Sequence, residues 1–311
     1  MRKGSVILVS GLAAFIVIVI GNIVIVAQDK IIGNWKADTR AERNVKGKDN
    51  DGKINISFER VTKNGRNQNG SSFKFDELQG LTRENAENEK VNFRLVREAG
   101  TIDCEGTFTD GRGSGTFRFT PNNAFVDGMR LRGFDFEGLV RKNDSGPQDR
   151  LLTAALVNVT TALADDLLAA NFGRLGVEDL LKAAIFKIDG KFMAEMKATG
   201  FTNLRMEDLV KARIFKIDAK FVRQVRDMGF DDREFESLVK FRIFKVTPEY
   251  LNELKAAGLS KMDSEDIVKC RIFKIDPEFV RKARATDPNV TVEDLVKLKI
   301  GVYKHKDKDS Y

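Results

Sequence analysis

Ile214-Phe215-Lys216-Ile217-Asp218 decides how the second half of this chain folds, because the phrase returns. Equivalents begin at Leu156, Ile185, Ile243 and Ile272, each start 29 residues from the next. Self-similarity at a fixed period of this size marks stacked supersecondary units, none of which can bury its apolar face alone.

The residues around the phrase give each unit two short helices. Asp189, Asp218, Thr247 and Asp276 are N-cap types, whose side-chain oxygen accepts from free backbone N–H groups. Pro248 and Pro277 follow at the first helical position, where a missing N–H costs nothing. An apolar anchor recurs at Phe125, Leu163, Phe192, Phe221, Tyr250 and Phe279. Eight residues on stand Gly133, Asn171, Gly200, Gly229, Gly258 and Asp287, the types that tolerate the left-handed C′ position ending a helix. The second helix begins with acids (Glu178-Asp179, Glu207-Asp208, Glu265-Asp266, Glu293-Asp294) and carries the anchors Leu151, Leu180, Leu209, Leu238, Ile267 and Leu295. Thr291 and Asp294 have capping-box spacing. One residue is missing near Pro288, and nine extra residues enlarge the first unit near Lys142–Pro147, predicting a loop. Helices of about ten residues are too short to stand alone in water. Residues 121–302 therefore read as six stacked pairs, an α-solenoid burying its Ile, Phe and Leu columns. The Phe186, Phe215, Phe244 and Phe273 column can be inter-repeat core or an exposed aromatic ridge.

A ladder of cations repeats down this stack: Lys211, Arg213 and Lys216; Lys240, Arg242 and Lys245; Lys269, Arg271 and Lys274; with Lys182 and Lys187 before them and Lys297 and Lys299 after. Packing at 8–10 Å per helix would align them into stripes. Two readings stay open. Cations suit the C-terminal turn of a helix that begins with acids, or the stripes form an anion-binding face.

Residues 31–120 carry a different period. Ile54/Ile56/Phe58, Phe73/Phe75, Val91/Phe93/Leu95, Ile102/Cys104/Gly106/Phe108 and Gly115/Phe117/Phe119 alternate as strands do. Asp51-Gly52, Asn64-Gly65, Asn69-Gly70, Ala99-Gly100 and Asp110-Gly111 are turn dipeptides between them. An antiparallel meander with one buried face is expected, with Trp35 in its core and a short helix or long loop from Asp76 to Lys90. Placing Gly52 at position 6 of a calcium loop puts Gly47 and Phe58 where acidic ligands belong, so that template fails.

Ahead of this domain, Arg2 and Lys3 precede a nearly unbroken apolar run from Val6 to Ala27. At 1.5 Å per residue, about 33 Å of helix would span a bilayer. Residues 1–28 thus read as a membrane anchor or a cleaved signal peptide, either of which exports the rest of the chain to the periplasmic side of the inner membrane. The cations from Lys30 to Lys46 oppose that orientation, but the positive-inside bias weakens for long translocated domains. Residues 303–311 form a charged tail. The fold class expected is α+β: an N-terminal membrane or signal helix, a small antiparallel β domain and a C-terminal α-solenoid.

With 311 residues, 42% of them hydrophobic and 32% charged, the chain has enough apolar matter for two cores, and a net charge of +7 permits an acidic partner without requiring one. Cys104 and Cys270 read as buried free thiols, and His305 is the only histidine, a poor start for a zinc site. His-Glu-x-x-His, Gly-x-Ser-x-Gly, phosphate-loop and Cys-x-x-Cys patterns do not occur. Gly111–Gly115 is glycine-rich but joins strands, which reads as a hairpin loop. No catalytic residue, metal ligand or cofactor is assigned. Nucleic acid is a poor ligand for an exported chain without interleaved aromatic stacking platforms.

The stretch from Cys104 to Phe117, with Glu105-Gly106-Thr107-Phe108 at its head, and the repeated Thr247-Pro248-Glu249-Tyr250…Gly258 resemble an uncharacterised bacterial exported module. That module is also appended to membrane metallopeptidases of the β-lactam-sensor type. The resemblance covers roughly residues 31–302. The peptidase's membrane domain and zinc motif are absent from this sequence, so proteolysis does not carry over. The resemblance implies a non-enzymatic sensing or docking module of the cell envelope with a protein partner. Anion or polysaccharide binding by the ladder, or an enzyme site on the β domain, are the alternatives.

Overall fold

The computed structural model describes residues 31–39, 52–62, 65–138, 146–201, 203–230 and 234–302. The expected leader helix at residues 6–27, the calcium-like loop before Gly52, most of the first-unit insertion and the tail from residue 303 lie outside the described residues. Among those described, no single helix is long and apolar enough to cross a membrane. The architecture is mixed α+β: a curled antiparallel sheet followed by helices.

The sheet contains β1 (Ile31–Asp38), β2 (Lys53–Thr62), β3 (Gly65–Lys74), β4 (Leu78–Gln79), β5 (Lys90–Arg97), β6 (Gly100–Thr109) and β7 (Arg112–Pro121), with a 3₁₀ turn at Phe75–Glu77 and a short α1 (Asn85–Asn88). Its order, β3-β2-β1-β7-β6-β5-β4, is not the plain meander expected. The first strand lies inside the sheet and pairs with both β2 and β7, so the two ends of the domain sequence close on each other.

Period-2 alternation sends Trp35, Phe58, Phe93, Phe108, Phe117 and Phe119 to one buried face. Trp35 is fully buried, its ring against Phe93 and Phe108 with centroids 5.2 and 5.6 Å away, and its Nε1 donates to the Glu105 carbonyl at 3.1 Å. The indole fits because Gly106 and Gly113 stand beside it: a Cβ on either would come within 2.6–2.7 Å of the ring. Hence the glycines read as a loop at 111–115 are mostly strand; only Asp110 and Gly111, with φ of 48° and 72°, make the turn between β6 and β7. Asn69-Gly70 is likewise not a turn: Gly70 pairs with Ser57 in mid-strand, because β3 continues to Lys74.

Twelve helices follow: α2 (Asn123–Leu131), α3 (Pro147–Leu156), α4 (Thr161–Ala169), α5 (Val177–Phe186), α6 (Gly190–Lys197), α7 (Met206–Phe215), α8 (Ala219–Asp227), α9 (Phe235–Ile243), α10 (Pro248–Ala256), α11 (Ser264–Ile272), α12 (Pro277–Thr286) and α13 (Val292–Lys299). They form two layers. Helices α5, α7, α9, α11 and α13 contact one another in succession, as do α2, α4 and α6, and α10 with α12. The stack begins on the sheet: α3 contacts β6 and β7, which buries Leu156 where later units leave its counterpart in solvent.

Each cap works as its residue type dictates. Thr160, Asp189, Asp218, Thr247 and Asp276 accept from the backbone N–H three residues on. Asp179, Asp208, Asp266 and Asp294 reach back to the N-cap N–H of their own helices. Gly133, Asn171, Gly200, Gly229 and Gly258 hold the positive φ expected of them. Asp287 does not; it is extended, at φ −131°, because it precedes Pro288, which disfavours helical geometry in the residue before it.

Candidate interaction surface

The recurring phrase contains two isoleucines three residues apart, and the fold gives them opposite fates. Ile188, Ile217, Val246 and Ile275 are at most 5% exposed, whereas Ile185, Ile214, Ile243, Ile272 and Ile300 are 46–54% exposed. The expectation that all Ile columns are core is therefore corrected. The buried set is explained by the helix ends. N–H groups of Ile188, Ile217, Val246 and Ile275 donate to Ala183, Ala212, Phe241 and Cys270 carbonyls at 2.8–2.9 Å. That is the Schellman ending, in which the residue after the left-handed position folds back and packs on the helix. The phenylalanines between the two sets are partly buried against the core.

Left-handed geometry in this second column falls on Asn158, Lys187, Lys216, Lys245 and Lys274, with φ of 51–57°. Sequence reading missed it, because lysine carries no signal for that conformation. Lys216→Gly is expected to raise stability by about 0.5–1 kcal/mol, relief of the Cβ clash outweighing the freedom glycine gains in the unfolded chain. A shift of the urea midpoint upward with unchanged slope would show it.

The ladder cations from Lys182 to Lys274 separate into three columns. Lys211, Lys240 and Lys269, with Lys182 before them, cross to the next helix of their layer and pair with Glu236, Glu265, Glu293 and Glu207 at 2.6–3.5 Å. The hydrogen bond from Lys182 lowers the pKa of Glu207, and the same bond raises that of Lys182. Such half-exposed pairs contribute about 0.2–1 kcal/mol each, and act mainly to hold register between units. Arg213, Arg242 and Arg271 reach across to the other helix of their own pair and lie 3.8, 3.7 and 3.6 Å from the ring centres of Phe192, Phe221 and Tyr250, with Arg213 and Arg242 still exposed. Arg242 also donates to the Lys216 carbonyl at 2.7 Å. In the α4–α5 pair, where the anchor is Leu163, the matching position is Ala184 and no such stack forms. Lys187, Lys216, Lys245 and Lys274 remain: exposed, and without an ion pair among the described residues.

The other layer presents a different outer face. At the position two beyond each anchor stand Asp127, Asp165, Ala194, Arg223, Asn252 and Arg281, all exposed and, from Asp165 on, changing in charge from unit to unit.

A third surface is the solvent face of the sheet, where an open cavity of about 560 Å³ is lined in part by Asn92, Arg94, Asp103, Glu105, Thr116 and Arg118. Its carboxylates are engaged: Arg94 pairs with Asp103 at 2.6 Å, and Thr116 donates to Glu105 at 3.2 Å. Cys104 borders it, but burial pushes that thiol well above its usual range and keeps it protonated. Cys270 is free and buried too, its thiol pushed up to about 12 by burial. Among the described residues no cluster of His, Cys, Asp or Glu could hold a metal ion. No protein-family model matches this chain, and no curated protein and no solved structure matches it either.

Proposed function

We propose that this chain is a non-enzymatic interaction module of the bacterial cell envelope, a sensor or regulatory component whose solenoid presents a surface to another protein. The observation that carries the reading is the varied outer face of the anchor layer: from Asp165 through Ala194, Arg223 and Asn252 to Arg281, the side chain changes from each unit to the next on a regular stack. Equivalent positions with unlike side chains make an address that a partner reads along its length, as specific recognition requires. The export of the chain rests on the apolar run Val6–Ala27 and on the resemblance to exported modules.

A photo-crosslinking residue at Arg223 in the full chain, expressed in intact cells, tests this. A discrete protein adduct is expected, lost in an Asn252→Arg/Arg281→Asp variant that folds normally. No adduct from any of the five positions, or an adduct indifferent to that exchange, would count against it. The four lysines without an ion pair among the described residues favour a second reading, in which the stack retains an anion or polysaccharide. Charge reversal at Lys216, Lys245 and Lys274 separates the two, since only the second predicts lost retention.

A further inference from the structure

The helices that carry the recurring phrase show solvent a face built on another plan. Glu207, Lys211 and Ile214 follow one another at i, i+4 and i+7 along one side of α7. Glu236, Lys240 and Ile243 do so on α9, Glu265, Lys269 and Ile272 on α11, and Glu293, Lys297 and Ile300 on α13. The acid and the first lysine of neighbouring units pair with each other. What remains at the helix ends is a row of half-exposed isoleucines; two residues beyond Ile185, Ile214, Ile243 and Ile272 stand Lys187, Lys216, Lys245 and Lys274, without an ion pair among the described residues, while Ile300 is followed by Val302. The nearby Asp189, Asp218 and Asp276 direct their carboxylates to helix N-caps, and at Lys245 the capping residue is an uncharged Thr247.

We propose that this Ile–Lys rim docks on an anionic lipid bilayer, the isoleucines entering the interfacial layer and the lysines meeting lipid phosphates. Three observations select a bilayer over a protein. The rim repeats the same two side chains through the four units from Ile185 to Lys274, and a fluid surface needs no register, whereas the outer face of the other layer varies. Lys182, Lys211, Lys240 and Lys269 are neutralised by glutamates, and Arg213, Arg242 and Arg271 lie against rings. The four rim lysines have no ion pair among the described residues, so their charge is available to an anionic surface. Finally, lysine occupies left-handed positions where the sister column has Gly200, Gly229 and Gly258. A long side chain with a cationic head and an apolar stem lies along a membrane interface as glycine cannot. The inference goes beyond the protein-recognition role and shares with it only the placement at the envelope.

The test uses the full chain carrying Ile243→Cys, labelled with an environment-sensitive fluorophore; the native thiols Cys104 and Cys270 are buried. Whatever else brings the chain to a vesicle, this label reports on the rim alone. With vesicles containing about 30 mol% phosphatidylglycerol, a blue shift and intensity gain are expected, reversed at about 1 M salt, where the screening length falls to about 3 Å. Phosphatidylcholine vesicles should give little change, and so should a label at Arg223→Cys on the other layer. Each Lys→Gln change among the four should weaken rim contact about fivefold, the equivalent of about 1 kcal/mol per cation at an anionic surface. A label silent on anionic vesicles, or equally bright on neutral ones, would overturn the proposal. So would a rim crosslink to protein with no lipid signal. None of these results bears on the Arg223 adduct, so the two ideas fail separately.

Discussion

Trp35→Ala is expected to remove about 3–5 kcal/mol from the stability of the sheet domain, the range for truncating a large buried aromatic. The indole is fully buried at the centre of the sheet, touching Phe93 and Phe108 and seated against two glycines. Alanine leaves a void that β6 and β7 cannot close, because their backbones already meet: a Cβ at Gly115 would fall 1.9 Å from the Glu105 carbonyl oxygen. The Glu105 carbonyl also loses its donor, at a further cost of about 1 kcal/mol. Domains of this size hold about 5–15 kcal/mol in all, so the variant should unfold at markedly lower urea. Circular dichroism suits the measurement, since Trp35 is the only tryptophan and its fluorescence disappears with the substitution. A loss under about 1 kcal/mol would show that the sheet does not close around this residue.

The second large effect separates two residues that sequence treats alike. Ile217→Ala is expected to cost about 2–5 kcal/mol and Ile214→Ala well under 1 kcal/mol, although both are isoleucines of one recurring phrase. Ile217 is 1% exposed and folds back over the end of α7, where its N–H donates to the Ala212 carbonyl at 2.8 Å. Its truncation opens a cavity between units, in a stack whose stability depends on contacts between neighbours. Ile214 is 54% exposed, so truncation removes little buried surface. Paired urea titrations of the two variants decide it. Equal losses would mean that the outer row is covered within the chain itself, which would also remove the docking rim.

The helical half was legible to a depth that came from its repetition. Asp218, Thr247 and Asp276 read as caps and act as caps; Gly200, Gly229 and Gly258 read as left-handed and are. These features depend on one residue and its immediate backbone, and recurrence turns a weak local preference into a firm assignment. Where a neighbour intervened the reading failed, as at Asp287, whose geometry is set by Pro288. The candidate surface was half legible. The ladder cations were all visible as a pattern, but their sorting was not, because Lys211 finds Glu236 and Arg242 finds Phe221 only across the packed stack. The exposed isoleucines left no mark in the sequence, since an isoleucine is apolar whether it faces a core or solvent.

By itself the sequence determined the two periods, the junction between strands and helices near residue 121, the number of helical pairs and the position of most caps. Hydrophobic spacing and backbone preference are properties of short segments, so they act before any distant part of the chain is in place. Tertiary structure alone decided that β1 sits between β2 and β7, that two ladder columns find glutamates and aromatic rings as partners, and that one isoleucine row stays in solvent beside four lysines without an ion pair among the described residues. Each of those outcomes depends on which surfaces meet across tens of residues, and a side chain's identity does not specify what will stand opposite it.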